Sequence, residues 1–263
     1  MDKVLIVANW KMHLNASQAS LLVHRLQERL KIHRDIEIVL APSLLALQPL
    51  SLQIDRRKFR LAVQNAYFRD EGAYTGEVSF TMLRELVHYA IIGHSERRQI
   101  FHEDLDLIRQ KVKAAVRNGI TPILCVGETK QERDDNETKQ VLHDQLMSGL
   151  SDLTEKEVGG LVIAYEPVWA IGKGLVVAKP SQVRSAVDYI RSYIAGIYDD
   201  KAAAKVRVLY GGDVMPEVAG GLLDVPGVNG FLVGHASLNY HEFSNIVAAV
   251  RHWQRLKEAD DES

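Results

Sequence analysis

Polar side chains recur where short apolar runs stop: Asn9 and Lys11 after VLIVA, His94 and Glu96 after YAIIG, and Glu166 after LVIAY. A carboxylate, an imidazole and an ammonium suffice for enolisation of a carbonyl compound. The carboxylate takes the proton beside the carbonyl, the neutral imidazole donates to the oxygen, and the cation steadies the anion that forms.

Glu166 precedes Pro167, which restricts the backbone of the residue before it, so this carboxylate is positioned rather than floppy. At an apolar mouth it gives up hydration, which strengthens it as a base. His94 opens SERRQIF, a helix-start pattern in which Ser95 can cap, and a helix N-terminus disfavours imidazolium. The glycines of AIGKGLVVA, after Trp169, suit a lid that closes and excludes water. YGGD at Tyr210 and VGHAS at Val233 supply glycines of the kind that present backbone N–H groups to a phosphate. Gln64, Asn65 and Glu128 also stand at strand ends, where Gln64 and Asn65 read more simply as residues that tie down a loop.

Eight β-branched runs must position these groups, beginning near Val4, Ile36, Phe59, Tyr89, Thr121, Leu161, Val206 and Gly230. Their nearly continuous apolarity predicts strands covered on both faces, as in a parallel sheet sheathed by helices. Helical spacing separates them, as in Leu105, Ile108, Val112 and Ala115, in Val183, Ala186, Val187, Ile190 and Ile194, and in Phe243, Ile246, Val247 and Val250. Eight such units at roughly 30-residue spacing predict one (β/α)8 barrel over residues 1–263, with eight parallel strands and outer helices, and with its site where the strands end. A doubly wound open sheet fits less well, because no G-x-G-x-x-G follows the first strand and no G-x-x-x-x-G-K-[ST] occurs. The acidic stretch at about 258–263 reads as a frayed tail.

A net charge of -2 gives no long-range bias toward nucleic acid or an acidic membrane. MDKVLIVANWKMH has too short an apolar run for a signal segment or a membrane span, so a cytoplasmic location is expected. Cys125 is the single cysteine, which rules out an internal disulfide and cysteine-rich zinc sites, and its apolar strand marks it as a buried structural thiol. Neither a metal nor a cofactor is expected.

NWKM at Asn9, QN at Gln64 with GAYTGE ending at Glu77, GHSERR at Gly93, CVGE at Cys125, AYEPVWAIG at Ala164, YGG at Tyr210 and VGHASL at Val233 together resemble the triosephosphate isomerase family, in its order and over the whole chain. The resemblance implies the TIM barrel and interconversion of glyceraldehyde 3-phosphate and dihydroxyacetone phosphate. Glu166 would shuttle the proton, His94 polarise the carbonyl, Lys11 support the anion, Asn9 help hold the oxygen and Glu96 orient Lys11. Gly172, Asp213, Gly234 and His235 would receive the phosphate. Ile171, Lys173 and Gly174 belong to the lid, with Ile171 covering the base and Tyr210 latching the closed lid. A homodimer is implied, in which Thr75, Gly76 and Glu77 insert beside the neighbouring site and Arg97 pairs with Glu77 across the interface.

The chain departs from the family pattern at Lys173 and Asp213, where Thr and Ser are usual, at His235 for Gly and at His13 for Asn. The lid is also one residue longer between Gly174 and Pro180, with Leu175 where Lys is usual. A carboxylate about 5 Å from a phosphate charge costs roughly 3 kcal/mol per unit charge at an effective dielectric of about 20. Asp213 is therefore expected to turn toward the lid and pair with Lys173 or His235, leaving its backbone N–H for the ligand. Because these changes cluster at the phosphate end, an isomerase of a tetrulose phosphate is the alternative. A non-catalytic descendant of the fold is a further one, opposed by the intact Asn9, Lys11, His94 and Glu166.

Overall fold

The computed structural model describes residues 3–172 and 177–261. Eight strands, β1 (Val4–Asn9), β2 (Ile36–Ala41), β3 (Phe59–Val63), β4 (Tyr89–Ile92), β5 (Thr121–Val126), β6 (Val162–Tyr165), β7 (Arg207–Tyr210) and β8 (Val228–Val233), pair in parallel with their sequence neighbours. β1 also pairs with β8, closing the barrel. The last strand begins at Val228, two residues earlier than its apolar run suggests, because Asn229 joins the ladder with its side chain accepting from the Val208 amide at 2.9 Å.

The two faces of each strand enter different cores. Leu5, Val7, Val39, Ile91, Ile123, Cys125, Ala164 and Leu232 fill the barrel interior. Ile6, Ala8, Ile38, Leu40, Ile92, Leu124 and Ile163 pack outward with the helices. Double burial explains why the strands read as unbroken apolar runs rather than alternating ones. The seam needs a glycine: a Cβ on Gly230, at φ +147°, would stand 1.9 Å from the Leu5 carbonyl oxygen of β1.

Helices follow the strands as the spacing predicts, among them Leu105–Arg117, Pro180–Ile197 and Tyr240–Asp261. Asp104 caps the first of these by accepting from the Leu107 amide, and Pro180 opens the second, where its missing N–H costs nothing. The final helix continues through Asp261, so most of the acidic stretch expected to fray is helical. No described helix is long and apolar enough to cross a membrane.

Candidate active site

The ends of β1, β4, β6, β7 and β8 open on one cleft, which brings Asn9, Lys11, His94 and Glu166 together with Ile171, Gly172, Asp213, Gly234 and His235. Lys173 and Gly174 lie outside the described residues.

Just past β1, Lys11 adopts φ +52°, a left-handed conformation that a side chain resists. The Asn9 carboxamide holds that turn by accepting the Lys11 amide at 3.1 Å. Gln64 adds to the brace by donating to the carbonyls of Lys11 at 2.9 Å and Ala41 at 2.8 Å. The turn aims the Lys11 ammonium at Glu96, whose Oε1 lies 2.6 Å from Nζ. Asn65 faces elsewhere, accepting from the buried Lys111 ammonium at 2.9 Å.

His94, rather than Ser95, is the N-cap of the short helix Ser95–Gln99. Its Nδ1 accepts the Glu96 amide at 3.3 Å, which leaves the proton of the neutral ring on Nε2, the nitrogen that faces the cleft. Ser95 is instead the first helical residue, and its amide donates to Glu166 Oε2 at 3.0 Å. The expectation failed because an imidazole at the right ψ can cap as a hydroxyl does, which freed the serine amide for the carboxylate.

Glu166 continues β6 by donating its amide to the Val126 carbonyl at 2.7 Å, and it is buried. Its Oε1 stands 3.1 Å from His94 Nε2, close enough for an ion-pair contact but off hydrogen-bond geometry, so this oxygen has no hydrogen-bond partner in the chain among the described residues. A carboxylate with one oxygen held and one free thus faces an imidazole nitrogen, with the Lys11 ammonium lining the same cleft. Two glycines make room for it: a Cβ on Gly127 would lie 1.8 Å from the Glu166 carbonyl oxygen, and one on Gly211 would lie 2.9 Å from its Cγ.

Sequence reasoning missed the setting behind the base. The Cys125 thiol is raised well above its usual range, first by burial and then by neighbouring Glu166. Burial lowers the Arg98 guanidinium, with Cys125 and Glu166 acting against that fall. Arg98 donates to the carbonyls of Gly93 at 2.7 Å and Cys125 at 3.0 Å, tying β4 to β5 beneath Glu166. The one sequence signal for this was the second arginine of GHSERR.

At the other end of the cleft, the Asp213 amide donates to the Ala170 carbonyl at 3.2 Å, so it is occupied rather than left for a ligand. Nor does the Asp213 carboxylate form an ion pair with His235, which is exposed. Peptide geometry places that amide under the lid base, where Ala170 closes a short 3-10 turn, Val168–Ala170. Among the described residues the amides of Gly212, Gly234 and His235 have no backbone acceptor, and all three residues line the cleft. Tyr210 is fully buried, and burial pushes its phenol up to about 12. The Ala178 amide, past the lid, pulls against that rise, although the phenol oxygen meets no donor at strict hydrogen-bond geometry.

The 3-10 turn Val168–Ala170 is anchored by Glu128, a carboxylate with no exposed surface just past β5. It accepts from Trp169 Nε1 at 2.9 Å, Arg133 at 2.9 Å and the Tyr165 hydroxyl at 3.1 Å. Thr75, Gly76 and Glu77 are exposed on a loop beside a second cleft that reaches Lys11 and Glu96. Arg97 engages Glu103 of its own chain at 2.6 Å.

The family model described as Triosephosphate isomerase matches residues 4–250. Among curated proteins, the Triosephosphate isomerase of Syntrophotalea carbinolica is 42% identical over 248 residues, covering 94% of this chain and 98% of that protein. The one from Carboxydothermus hydrogenoformans is also 42% identical with the same coverage, and the one from Clostridium botulinum is 39% identical, covering 94% of this chain and 99% of its own. With a closed eight-stranded parallel barrel and near end-to-end matches to these relatives, the chain belongs to the triosephosphate isomerase family.

Proposed function

We propose that this protein interconverts D-glyceraldehyde 3-phosphate and dihydroxyacetone phosphate through an enediolate. The observation that carries the reading is the juxtaposition of Glu166 Oε1 and His94 Nε2 in the cleft that also holds Lys11. Glu166 removes a proton from the carbon beside the carbonyl, and the C–H electron pair becomes the enediolate double bond. His94 donates its Nε2 hydrogen bond to the carbonyl oxygen, and Lys11 offsets the developing charge. The hydroxyl proton then passes to the former carbonyl oxygen by way of His94 Nε2, and Glu166 returns the carbon-bound proton to the adjacent carbon, so the sum is an isomerisation with no net proton change. The phosphate takes the amides of Gly212, Gly234 and His235. Glu166→Asp tests the base: withdrawal by about one methylene should lower kcat about a hundredfold while KM changes little. Unchanged turnover would remove Glu166 from the role.

We read the protein as a homodimer of the cytoplasm. Support for the dimer comes from Met12, Met82 and Phe101, which are 96%, 67% and 61% exposed, the first and last lining the second cleft. Apolar side chains this exposed around a concave surface are the mark of an interface. Sedimentation equilibrium should return twice the chain mass, and Thr75→Arg should yield monomers of reduced kcat. A purely monomeric wild type would end this part of the reading.

Asp213 and His235 at the phosphate end keep a tetrulose phosphate in view as a second substrate. We expect kcat/KM to be higher on the triose phosphates, and the reverse order would reassign the substrate.

A further inference from the structure

The mouth opposite the active site, where the strands begin, carries a polar concavity of about 360 Å³, open to solvent. Its floor is a closed network. Arg207 donates to Glu37 Oε2 at 2.9 Å and to the Tyr89 hydroxyl at 2.8 Å, and that hydroxyl donates to Glu37 Oε1 at 2.8 Å. Glu37 is thereby used up by Arg207 and Tyr89.

The rim is different. Arg56 and Arg84 make no hydrogen bond or ion pair among the described residues, and Arg60 meets only His88 Nε2, at 3.1 Å. Adjacent Arg57 behaves as an ordinary surface arginine does and pairs with Asp55 at 3.0 Å. A single rim carboxylate, Glu85, stands against the three guanidinium groups, so the rim carries an excess of two positive charges. His88 senses this field: its imidazole is lowered by burial and then by Arg60 and Arg56, with Glu37 opposing. For Arg60 to donate to Nε2, the ring proton must sit on Nδ1, and that buried atom has no acceptor. Three guanidinium groups with one carboxylate between them therefore converge on one concave surface, in a chain whose overall charge of -2 conceals the local excess.

We propose that Arg56, Arg60 and Arg84 form a binding site for a compact multivalent phosphate anion, a chain of two or three phosphoryl groups, at the barrel mouth remote from the active site. Guanidinium groups bind such oxygens through paired, charge-assisted hydrogen bonds, and a ligand of at least two negative charges balances the rim. The chain of phosphoryl groups could be inorganic or carried by a nucleotide.

Calorimetric titration with inorganic tripolyphosphate tests this on the wild type and on Arg56→Ala/Arg84→Ala. Any binding at the active site is common to both proteins. The wild type should show binding that the double variant weakens by at least about tenfold, with isomerase activity unchanged because the site is at the other mouth. The charge-matched control Lys130→Ala/Lys139→Ala, at the strand-end side, should bind as the wild type does. ATP in place of tripolyphosphate separates the sources: tighter binding of ATP points to nucleotides, and equal or weaker binding points to an inorganic chain. Equal binding by the wild type and Arg56→Ala/Arg84→Ala, no binding by the wild type, or equal loss in the control would overturn the proposal.

Discussion

Around Glu166, Gly127 and Gly211 leave the space that its backbone and carboxylate occupy. A methyl group at Gly211 would stand 2.9 Å from Glu166 Cγ and 3.3 Å from the Tyr165 carbonyl oxygen, inside van der Waals contact with both. The side chain can yield where the backbone cannot, so Gly211→Ala should displace the carboxylate rather than unfold the barrel. We expect kcat to fall about a hundredfold with a thermal midpoint within a few degrees of the wild type. Steady-state kinetics and a melting curve check this. Asn9, Lys11, His94 and Glu166 were legible in the sequence because each is a polar residue ending an apolar run, and a parallel barrel gathers all such ends at one mouth. The place of Cys125 was not. Its strand partner Ala164 lies two residues before Glu166, and only the inter-strand register puts the thiol beneath the base. Asp213 was misread for a related reason: sequence supplies its charge but not the Ala170 carbonyl that claims its amide.

Between elements, the end of β5 is tied to the 3-10 turn Val168–Ala170 through Glu128. Glu128 has four partner atoms in Trp169, Arg133, Tyr165 and the Val168 amide, the last through its own carbonyl at 3.1 Å. The Arg133 guanidinium also lies over the Trp169 ring at 4.5 Å from its centroid. Removing the charge from a fully buried partner leaves Arg133 without its counter-ion, a loss worth about 3 kcal/mol. Glu128→Gln should lower unfolding stability by about that amount in urea titrations, and should change Trp169 fluorescence before global unfolding begins. The strands themselves were legible almost to the residue, because burial on both faces leaves no polar interruption to blur them. Helix ends were less so. A cap depends on which side chain reaches the first free amide, and at GHSERR two candidates stand side by side.

At the scale of the molecule, the sealed interior carries a pH signature. Burial raises the Cys125 thiol well above its usual range, with Glu166 adding to the effect. A group whose folded value is raised holds its proton more tightly folded than unfolded. Its contribution to stability is full below the unfolded thiol value, about 8.5, and is lost as pH climbs beyond that. The urea midpoint should therefore decline between about pH 8 and about pH 10, and Cys125→Ala should flatten the decline. The thiol should also resist alkylation in the native protein and react once it is unfolded.

The ring closure has a temporal side. β1 leaves the ribosome first and β8 last of the eight, yet they are neighbours, with Leu5 beside Gly230 and Ala8 beside Val233. Throughout synthesis the leading strand has a mate on one flank only, and its other flank offers unpaired amides and carbonyls to any passing strand. The barrel therefore has no edge when finished and two while it is being made, of which the free flank of β1 is the one exposed throughout.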